Sequence, residues 1–297
     1  MGAVANRSNH EPARASLLLS ALLAGYLAPV HGSTAEEGCT GPSSDCVAER
    51  RWNFSVGLGA GVRTNPLVGG ENIPLVLVPH VSYYGQRFFL DDLDAGFTLA
   101  ESNANSLSLV ASPDYDRVYF YRTDLQNFFI TGYLPNGAAL YRAATPADLA
   151  SATPAAEITQ RPRRVTYLAG PEWTFKYQRV TGQLDFLHEI TGRDHGNEVR
   201  AALGLPLLEA KGVLSANAGI TWKDSAIVNY YYGEPGLYRA GAALDPFAKL
   251  GYRVPLSSKW RFDAFAEYER LASSIVSSPI VDKHGVTTVF VGAVYAF

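Results

Sequence analysis

The chain has 297 residues, of which 47% are hydrophobic and 18% charged, and its formal net charge is −3. This length suffices for one large domain, and the lack of any lysine- or arginine-rich block argues against a nucleic-acid-binding protein. Aromatic residues make up 12% of the chain, with 17 Tyr and 14 Phe, a composition typical of exported β proteins.

The N-terminal segment has the layout of a signal peptide. Arg7 and Arg14 form a basic start, and residues 16–30 form an apolar stretch. This stretch is shorter than the roughly 20 residues that a membrane-spanning helix needs, and small residues suited to signal cleavage follow it. We predict a cleaved signal peptide over residues 1–32, with an uncleaved membrane anchor as the alternative.

Residues 33–51 are predicted to form a periplasmic N-terminal segment. Cys39 and Cys46 lie in it, separated by six residues in a stretch of Gly, Pro and Ser. In an oxidising periplasm these cysteines are predicted to form a small local disulfide, and two unpaired thiols are the alternative. Metal binding is disfavoured because no His lies close to the pair.

From residue 52 onward, segments of about ten residues alternate in polarity with a period of two. In the clearest segment, Trp260 and Phe262 alternate with Arg261 and Asp263, and a strand sends successive side chains to opposite faces. Strands this long fit the bilayer-crossing strands of a barrel better than those of a soluble sandwich. Twelve strands are predicted, at 52–64, 73–84, 87–100, 106–113, 117–130, 165–177, 180–192, 197–209, 212–223, 241–254, 259–271 and 285–297.

The connections between these segments alternate in length. Short links follow the even-numbered strands, at Gly85-Gln86, Pro113–Asp116, Gln178-Arg179, Ala210-Lys211 and Pro255–Ser258. Most other links are long, as expected for a bacterial barrel with short periplasmic turns and long extracellular loops. We predict an all-β fold: an antiparallel up-and-down transmembrane barrel over residues 52–297, surrounded by outer-membrane lipid. A ten-stranded barrel without the hairpin at 106–130 is the alternative, because Pro113 interrupts the pattern there.

The last predicted strand carries an assembly signal. Val291, Ala293, Tyr295 and Phe297 lie on one face, and the sequence ends on Phe297. A terminal Phe with an aromatic residue two positions earlier is the ending that the barrel assembly machinery favours in known barrels. Tyr295 and Phe297 are therefore predicted to be recognised by that machinery.

The polar faces of the best-patterned strands predict a charged barrel interior. Mixed charges in a narrow barrel can pair with one another, and unpaired charges there would be costly. A barrel of 10 or 12 strands lies between the filled small barrels and the open porins, so we expect a narrow or closed lumen. The predicted lumen residues are the cations Arg164, Lys176, Arg200, Lys249, Arg253 and Arg261 and the anions Glu172, Asp185, Glu189, Glu198, Asp245, Asp263, Glu267 and Glu269.

No catalytic, cofactor-binding or metal-binding arrangement is predicted, and we expect that the chain is not an enzyme. Asp194-His195 fits a solvated turn, and His80 has no acidic or thiol neighbour at ligand spacing in the sequence. The acidic residues Asp91, Asp92 and Asp94 could also hold a divalent cation. Ion pairs are the favoured interpretation of that cluster.

Several stretches resemble the MipA/OmpV family, and the similarity spans most of residues 52–297. They are VGLGAGV at 56–62, YGQRFF at 84–89, GLPL at 204–207, NYYYG at 229–233 and Ser278-Pro279. The chain departs from the family at Pro66–Glu71 and in residues 131–164, which are predicted to form an enlarged loop.

This resemblance implies an outer-membrane protein, and no member of the family is established as an enzyme. The family's namesake interacts with a murein-cleaving lytic transglycosylase and with a murein synthase. The resemblance therefore implies a scaffold for periplasmic murein-remodelling enzymes. A small-solute channel and an extracellular adhesin are the alternatives.

Overall fold

The computed structural model describes residues 50–121 and 162–297, so the predicted signal peptide and the Cys39–Cys46 pair lie outside the described residues. Twelve antiparallel strands form a closed barrel in which neighbours in sequence are neighbours in space and the last strand returns to the first. The strands are β1 (Trp52–Arg63), β2 (Ile73–Tyr84), β3 (Phe88–Asp91), β4 (Asp94–Glu101), β5 (Asn105–Pro113), β6 (Tyr167–Tyr177), β7 (Val180–Glu189), β8 (Asn197–Glu209), β9 (Val213–Lys223), β10 (Ala243–Pro255), β11 (Trp260–Arg270) and β12 (Gly285–Ala296). The prediction of a twelve-stranded antiparallel barrel is confirmed.

The period-two pattern translates directly into two faces of the wall. In β10, Asp245 and Lys249 are buried inside the barrel, whereas Leu244 and Leu250 are exposed on the outside. The same alternation holds in β12, where Val294 is buried between outward-facing neighbours. Pleating alone produces this result, because successive side chains of a strand point to opposite faces.

The predicted third strand, 87–100, is instead two strands. The chain reverses between β3 and β4 at Asp92-Leu93, so that Asp91 pairs with Asp94. Asp92 adopts a φ of 53°, a left-handed conformation that Asp tolerates better than most residues. Its carboxylate accepts a hydrogen bond from the Val81 backbone N–H at 2.8 Å, which anchors the turn to β2.

The predicted fifth strand, 117–130, is not seen as a strand in the described part of the chain. Tyr115–Tyr119 forms a 3-10 helix, whose first turn is capped by Asp114 accepting from the Asp116 N–H at 3.0 Å. Residues 122–130 lie outside the described residues. The predicted strand 87–100 is two strands, and the predicted strand 117–130 is not observed in the described residues. The two errors cancel, so the predicted total of twelve strands is correct.

The two rims of the barrel differ in the length of their connections. Residues 85–87, 102–104, 178–179, 210–212 and 256–259 form short turns at the rim where β1 begins and β12 ends. Outer-membrane barrels place such turns in the periplasm. The predicted short turn Pro113–Asp116 is wrong, because β5 ends at the opposite, extracellular rim.

The extracellular rim carries the longer connections, including helices α1 (Ser225–Tyr232) and α2 (Ser273–Val276). No helix of the described residues has the length and apolar character to cross a membrane.

Candidate functional site

Ion pairs between neighbouring strands line one side of the lumen. Lys249 lies directly opposite Glu267 on β11, and its Nζ is 3.1 Å from the Glu267 Oε2. Arg253 lies opposite Asp263 in the same register, at 3.6 Å between Nε and Oδ1, and Arg261 contacts the second oxygen of Asp263 at 3.0 Å. Each of these carboxylates therefore has a cation within reach.

A second set of polar contacts crosses β5 to β8. Arg200 lies opposite Asp185, pairs with Glu198 on its own strand and donates to the Ser112 hydroxyl at 3.0 Å. Glu172 and Asp185 also lie opposite each other, and Glu172 accepts a hydrogen bond from the Gln183 amide at 2.7 Å. This part of the wall holds more carboxylates than cations.

The sequence analysis missed several buried charged residues of the barrel interior, among them Lys223 and Asp116. Lys223, at the end of β9, lies 2.6 Å from the Asp116 carboxylate and 3.8 Å from that of Asp245. All three residues are buried. The inward position of Lys223 follows from the alternation in β9, which could have revealed it. Asp116 had no such signal, because it reaches the lumen on the 3-10 helix.

Three of the predicted lumen residues lie elsewhere. Glu189 is buried at the extracellular end of β7, where it accepts backbone hydrogen bonds from Thr191 at 2.6 Å and Arg193 at 2.9 Å. It therefore caps the following loop instead of joining a lumen ion pair. Lys176 is exposed at the periplasmic rim. Arg164 is exposed in the segment before β6, because that strand begins only at Tyr167.

The loop after β7 holds a perturbed carboxyl group. Burial raises the pKa of Asp194 to about 6, and the negative charges of Glu189 and Asp224 act in the same direction. A hydrogen bond from the Gly196 N–H, at 2.8 Å, opposes this shift. The expected solvated turn at Asp194-His195 is thus only partly solvated, since His195 is exposed and Asp194 is half-buried.

Apolar side chains from the extracellular connections fold into the mouth of the barrel. They pack against inward-facing strand residues near that rim, including Val110, Leu187 and Val286. This extracellular cap consists of Leu67, Val118, Phe120, Ile227, Tyr231, Tyr232, Ile275 and Ile280, all at most 3% exposed. The NYYYG stretch therefore contributes cap residues from α1 instead of forming an open loop.

A buried arginine holds the cap together. Arg163 is 1% exposed and donates to the Tyr231 carbonyl at 2.9 Å and to the Glu234 carboxylate at 2.9 Å. Its guanidinium also lies over the Phe120 ring, 5.1 Å from the centroid. One side chain thus ties the segment before β6 to both α1 and the 3-10 helix.

A second apolar cluster lies lower in the lumen. Phe265 and Phe290 pack with their ring centroids 6.0 Å apart, together with Leu75, Val78 and Val294. The Phe290 ring is accommodated by Gly59 on β1, where an added Cβ would lie 2.6 Å from the ring. The lumen is therefore occupied by side chains at two levels, below the cap as well as in it.

The C-terminal end of β12 contributes to an aromatic band at the periplasmic rim. The Tyr295 and Phe297 rings meet edge to face at 5.0 Å, and Tyr295 also packs on Trp260 at 5.0 Å. The Phe297 N–H donates to the Phe54 carbonyl at 3.0 Å. Both residues of the predicted assembly signal thus sit where β12 closes onto its neighbours.

The structure corrects the expectation that His80 has no acidic neighbour. The β3–β4 reversal brings Asp91 and Asp92 to His80, with its Nδ1 3.5 Å and 3.0 Å from their respective Oδ1 atoms. These three residues are the one group in the described ranges whose His, Cys, Asp and Glu ligand atoms lie close enough to hold a metal ion.

Comparison with known proteins identifies the family. Residues 56–297 match the family model described as MltA-interacting protein MipA. The chain belongs to this family. The outer membrane protein YiaT of Escherichia coli (strain K12) is 26% identical over 253 residues, covering 82% of this chain and 91% of that protein. The MltA-interacting protein of the same strain is 24% identical over 266 residues, covering 84% and 93%.

One further relative matches only a short part of the chain, and a solved porin structure shows a distant likeness. The outer membrane protein OmpV of Vibrio cholerae is 36% identical over 75 residues, which are 22% of this chain and 28% of that protein. The anion-selective porin from Comamonas acidovorans covers 82% of this chain and 98% of its own, with 10% identity and a TM-score of 0.33, and this likeness carries no argument about function. The MipA-family chain is an outer-membrane β-barrel protein, which confirms the predicted location.

Proposed function

We propose that this MipA-family barrel is a scaffold whose periplasmic rim binds a murein-remodelling enzyme of the MltA lytic transglycosylase class. The observation that carries the proposal is an excess of exposed positive charge at that rim. The exposed cations of this basic rim are Arg50, Arg51, Arg87, Lys176, Arg179, Lys211 and Lys259, against the exposed carboxylates of Glu101 and Glu209.

The basic rim suits an acidic protein surface. Its cations lie on or beside short turns that are fixed by the strands below them, so their spacing changes little on binding. Arg179 is paired with Glu209 at 3.2 Å, but the rim as a whole keeps a net positive charge. Clustered charge of one sign steers association with a partner of opposite sign and makes it sensitive to salt.

The interior of the barrel supports a scaffold more than a channel. Apolar side chains occupy the lumen at the extracellular cap and again around Phe290. Lys249, between these two levels, and Arg253 and Arg261, on the periplasmic side of the Phe265–Phe290 pair, are neutralised by carboxylates. A conducting pore would instead expose charge at a constriction. Binding at a rim requires no opening of this interior.

The test is binding of a purified, soluble MltA-type lytic transglycosylase to the detergent-solubilised barrel. The rim variant combines Arg179→Glu, Lys211→Glu and Lys259→Glu. At about 0.5–1 kcal/mol for each reversed charge, affinity should fall by about 10–100-fold at low salt. The wild-type complex should also weaken as salt increases.

The matched control reverses three exposed cations at the extracellular rim, Arg164→Glu, Arg193→Glu and Arg239→Glu. It changes the net charge by the same amount and should bind as the wild type does. Equal losses in both variants would mean that only net charge matters. Wild-type affinity in the rim variant would refute the basic rim as the docking surface.

A further inference from the structure

A histidine and two aspartates converge on the inner wall of the barrel, where β3 turns back into β4. His80 points inward from β2, Asp91 ends β3, and Asp92 forms the turn that follows. One ligand atom from each of the three side chains lies within 4.8 Å of the other two. Asp92 is buried and the other two residues are half-buried, so the cluster is shielded from bulk solvent.

The spacing of these atoms fits direct coordination of one metal ion. Metal–ligand bonds of about 2.0–2.2 Å at tetrahedral angles place neighbouring ligand atoms roughly 3.3–3.6 Å apart. The His80 Nδ1 lies 3.0 Å from the Asp92 Oδ1 and 3.5 Å from the Asp91 Oδ1. Small side-chain adjustments therefore suffice to bring all three atoms onto one ion.

The surroundings hold the two carboxylates in position. The Tyr84 hydroxyl donates to the Asp91 Oδ2 at 2.8 Å, and the Val81 N–H donates to the Asp92 Oδ1 at 2.8 Å. Hydrogen bonds of this kind orient the ligands in metal sites and are important for affinity. Both donors come from β2, the strand that carries His80.

Two buried oxygens at this place have no hydrogen-bond partner among the described residues. The Asp91 Oδ1 accepts no hydrogen bond within the described chain, and neither does the Ser82 Oγ find a partner there. Ser82 is 1% exposed, shares the inner face of β2 with His80 and lies directly opposite Asp91. Buried polar atoms are rarely left without partners, and a bound ion with its water would satisfy both.

We propose that His80, Asp91 and Asp92 bind a divalent transition-metal ion. An imidazole nitrogen with two carboxylates is a donor set that suits Zn²⁺ better than Mg²⁺ or Ca²⁺, which prefer oxygen ligands alone. The two carboxylates neutralise the charge of the ion. Its fourth position, beside Ser82, is open to water.

A bound ion would strengthen the shortest strand pairing of the barrel, the one between β2 and β3. β3 spans four residues and pairs with β2 only from Ser82 to Tyr84. An ion held by His80 on one side and by Asp91 and Asp92 on the other links β2 to the β3–β4 turn. Because the ion binds only the folded arrangement, it stabilises the barrel by mass action.

The experiment uses the full barrel in detergent, purified without a histidine tag, stripped with a chelator and titrated with ZnCl₂ in a calorimeter. We expect one Zn²⁺ per chain and a higher thermal midpoint after loading. His80→Ala and Asp92→Asn should each weaken binding by more than about 100-fold, since losing a ligand costs more than losing its hydrogen-bonding partner. Loading with Co²⁺ should give visible absorption bands that both variants lose.

Two control variants keep the test specific. His188→Ala removes an exposed, outward-facing imidazole, and Asp94→Asn removes an inward carboxylate of the same hairpin that is outside the ligand set. Both should bind Zn²⁺ as the wild type does. Heat-modifiable migration on gels checks that each variant is folded, and Asp91→Asn replaces any variant that is not. The proposal is refuted if the wild type takes up no stoichiometric Zn²⁺, or if the folded His80 and Asp92 variants still bind it.

Discussion

Removing the charge of Lys249 tests whether the lumen is dry. The Lys249 side chain is 2% exposed and its partner Glu267 is 21% exposed, with 3.1 Å between Nζ and Oε2. In Lys249→Met, Glu267 keeps its charge in the interior but loses the cation with which it is paired. Breaking a buried pair in this way costs about 3–5 kcal/mol, so the free energy of unfolding should fall by that amount.

The double variant Lys249→Met with Glu267→Gln separates the lost attraction from the uncompensated charge. It leaves no charge at either position, and replacing a buried pair by neutral groups is often nearly neutral for stability. Most of the loss caused by the single substitution should therefore be regained. The Met side chain also keeps a contact with the Phe265 ring, over which the Lys249 Nζ lies at 4.6 Å.

The exposed pair at the periplasmic rim supplies the matched control. Arg179 and Glu209 lie 3.2 Å apart, and their side chains are 58% and 55% exposed. Arg179→Ala should cost only about 0–1 kcal/mol. Urea unfolding in phospholipid vesicles, followed by tryptophan fluorescence, gives each free energy if the denaturant slopes agree. A loss for Lys249→Met no larger than that for Arg179→Ala would refute a desolvated lumen.

Three further predictions address the closing strand, the cap and the loop after β7. Deleting Phe297 removes its edge-to-face contact with Tyr295 and should sharply lower outer-membrane assembly. Assembly is measured as the amount of heat-modifiable protein in membrane fractions, and a wild-type amount would contradict the assembly signal. Arg163→Ala should loosen the extracellular cap and lower the free energy of unfolding by about 1–3 kcal/mol, because it leaves the Tyr231 carbonyl and the Glu234 carboxylate without their donor. Equal urea unfolding curves for this variant and the wild type would argue against a cap held by Arg163. The raised pKa of Asp194, about 6, means that the folded state holds this proton more tightly than the unfolded chain, where the pKa is about 3.9. The stability that this group contributes is therefore greatest below about pH 4 and is lost as pH rises to about 6. Asp194→Asn should make the free energy of unfolding depend less on pH in this range. An unchanged pH dependence would refute the raised pKa of Asp194.

The sequence by itself determined the faces of the strands. The inward positions of Asp245, Lys249 and Asp263 follow from alternation alone, and so do the outward positions of Tyr295 and Phe297. The physical reason is local, because the direction of a side chain in a strand depends on the pleat and not on which strand lies alongside. The family resemblance was likewise readable from short motifs, and the match over residues 56–297 confirms it.

The reversal at Asp92-Leu93 escaped prediction because its turn carries no glycine or proline. Asp92 alone takes the left-handed conformation, and the hydrogen bond that holds its carboxylate comes from Val81 on another strand. A run of aspartates within an alternating segment looks the same whether the chain continues or turns back. The 3-10 helix at Tyr115–Tyr119 was missed because its 5 residues are too few to show a helical repeat.

Only the tertiary structure decided which inward side chains meet. Lys249 finds Glu267 through the β10–β11 register, and Lys223 finds Asp116 because the 3-10 helix folds into the lumen. The approach of His80 to Asp91 depends in turn on the hairpin that the sequence concealed. Whether two such side chains meet depends on the register between neighbouring strands and on the path of the connecting segments. A local sequence pattern determines neither the register nor the path, because both result from packing between different segments of the chain.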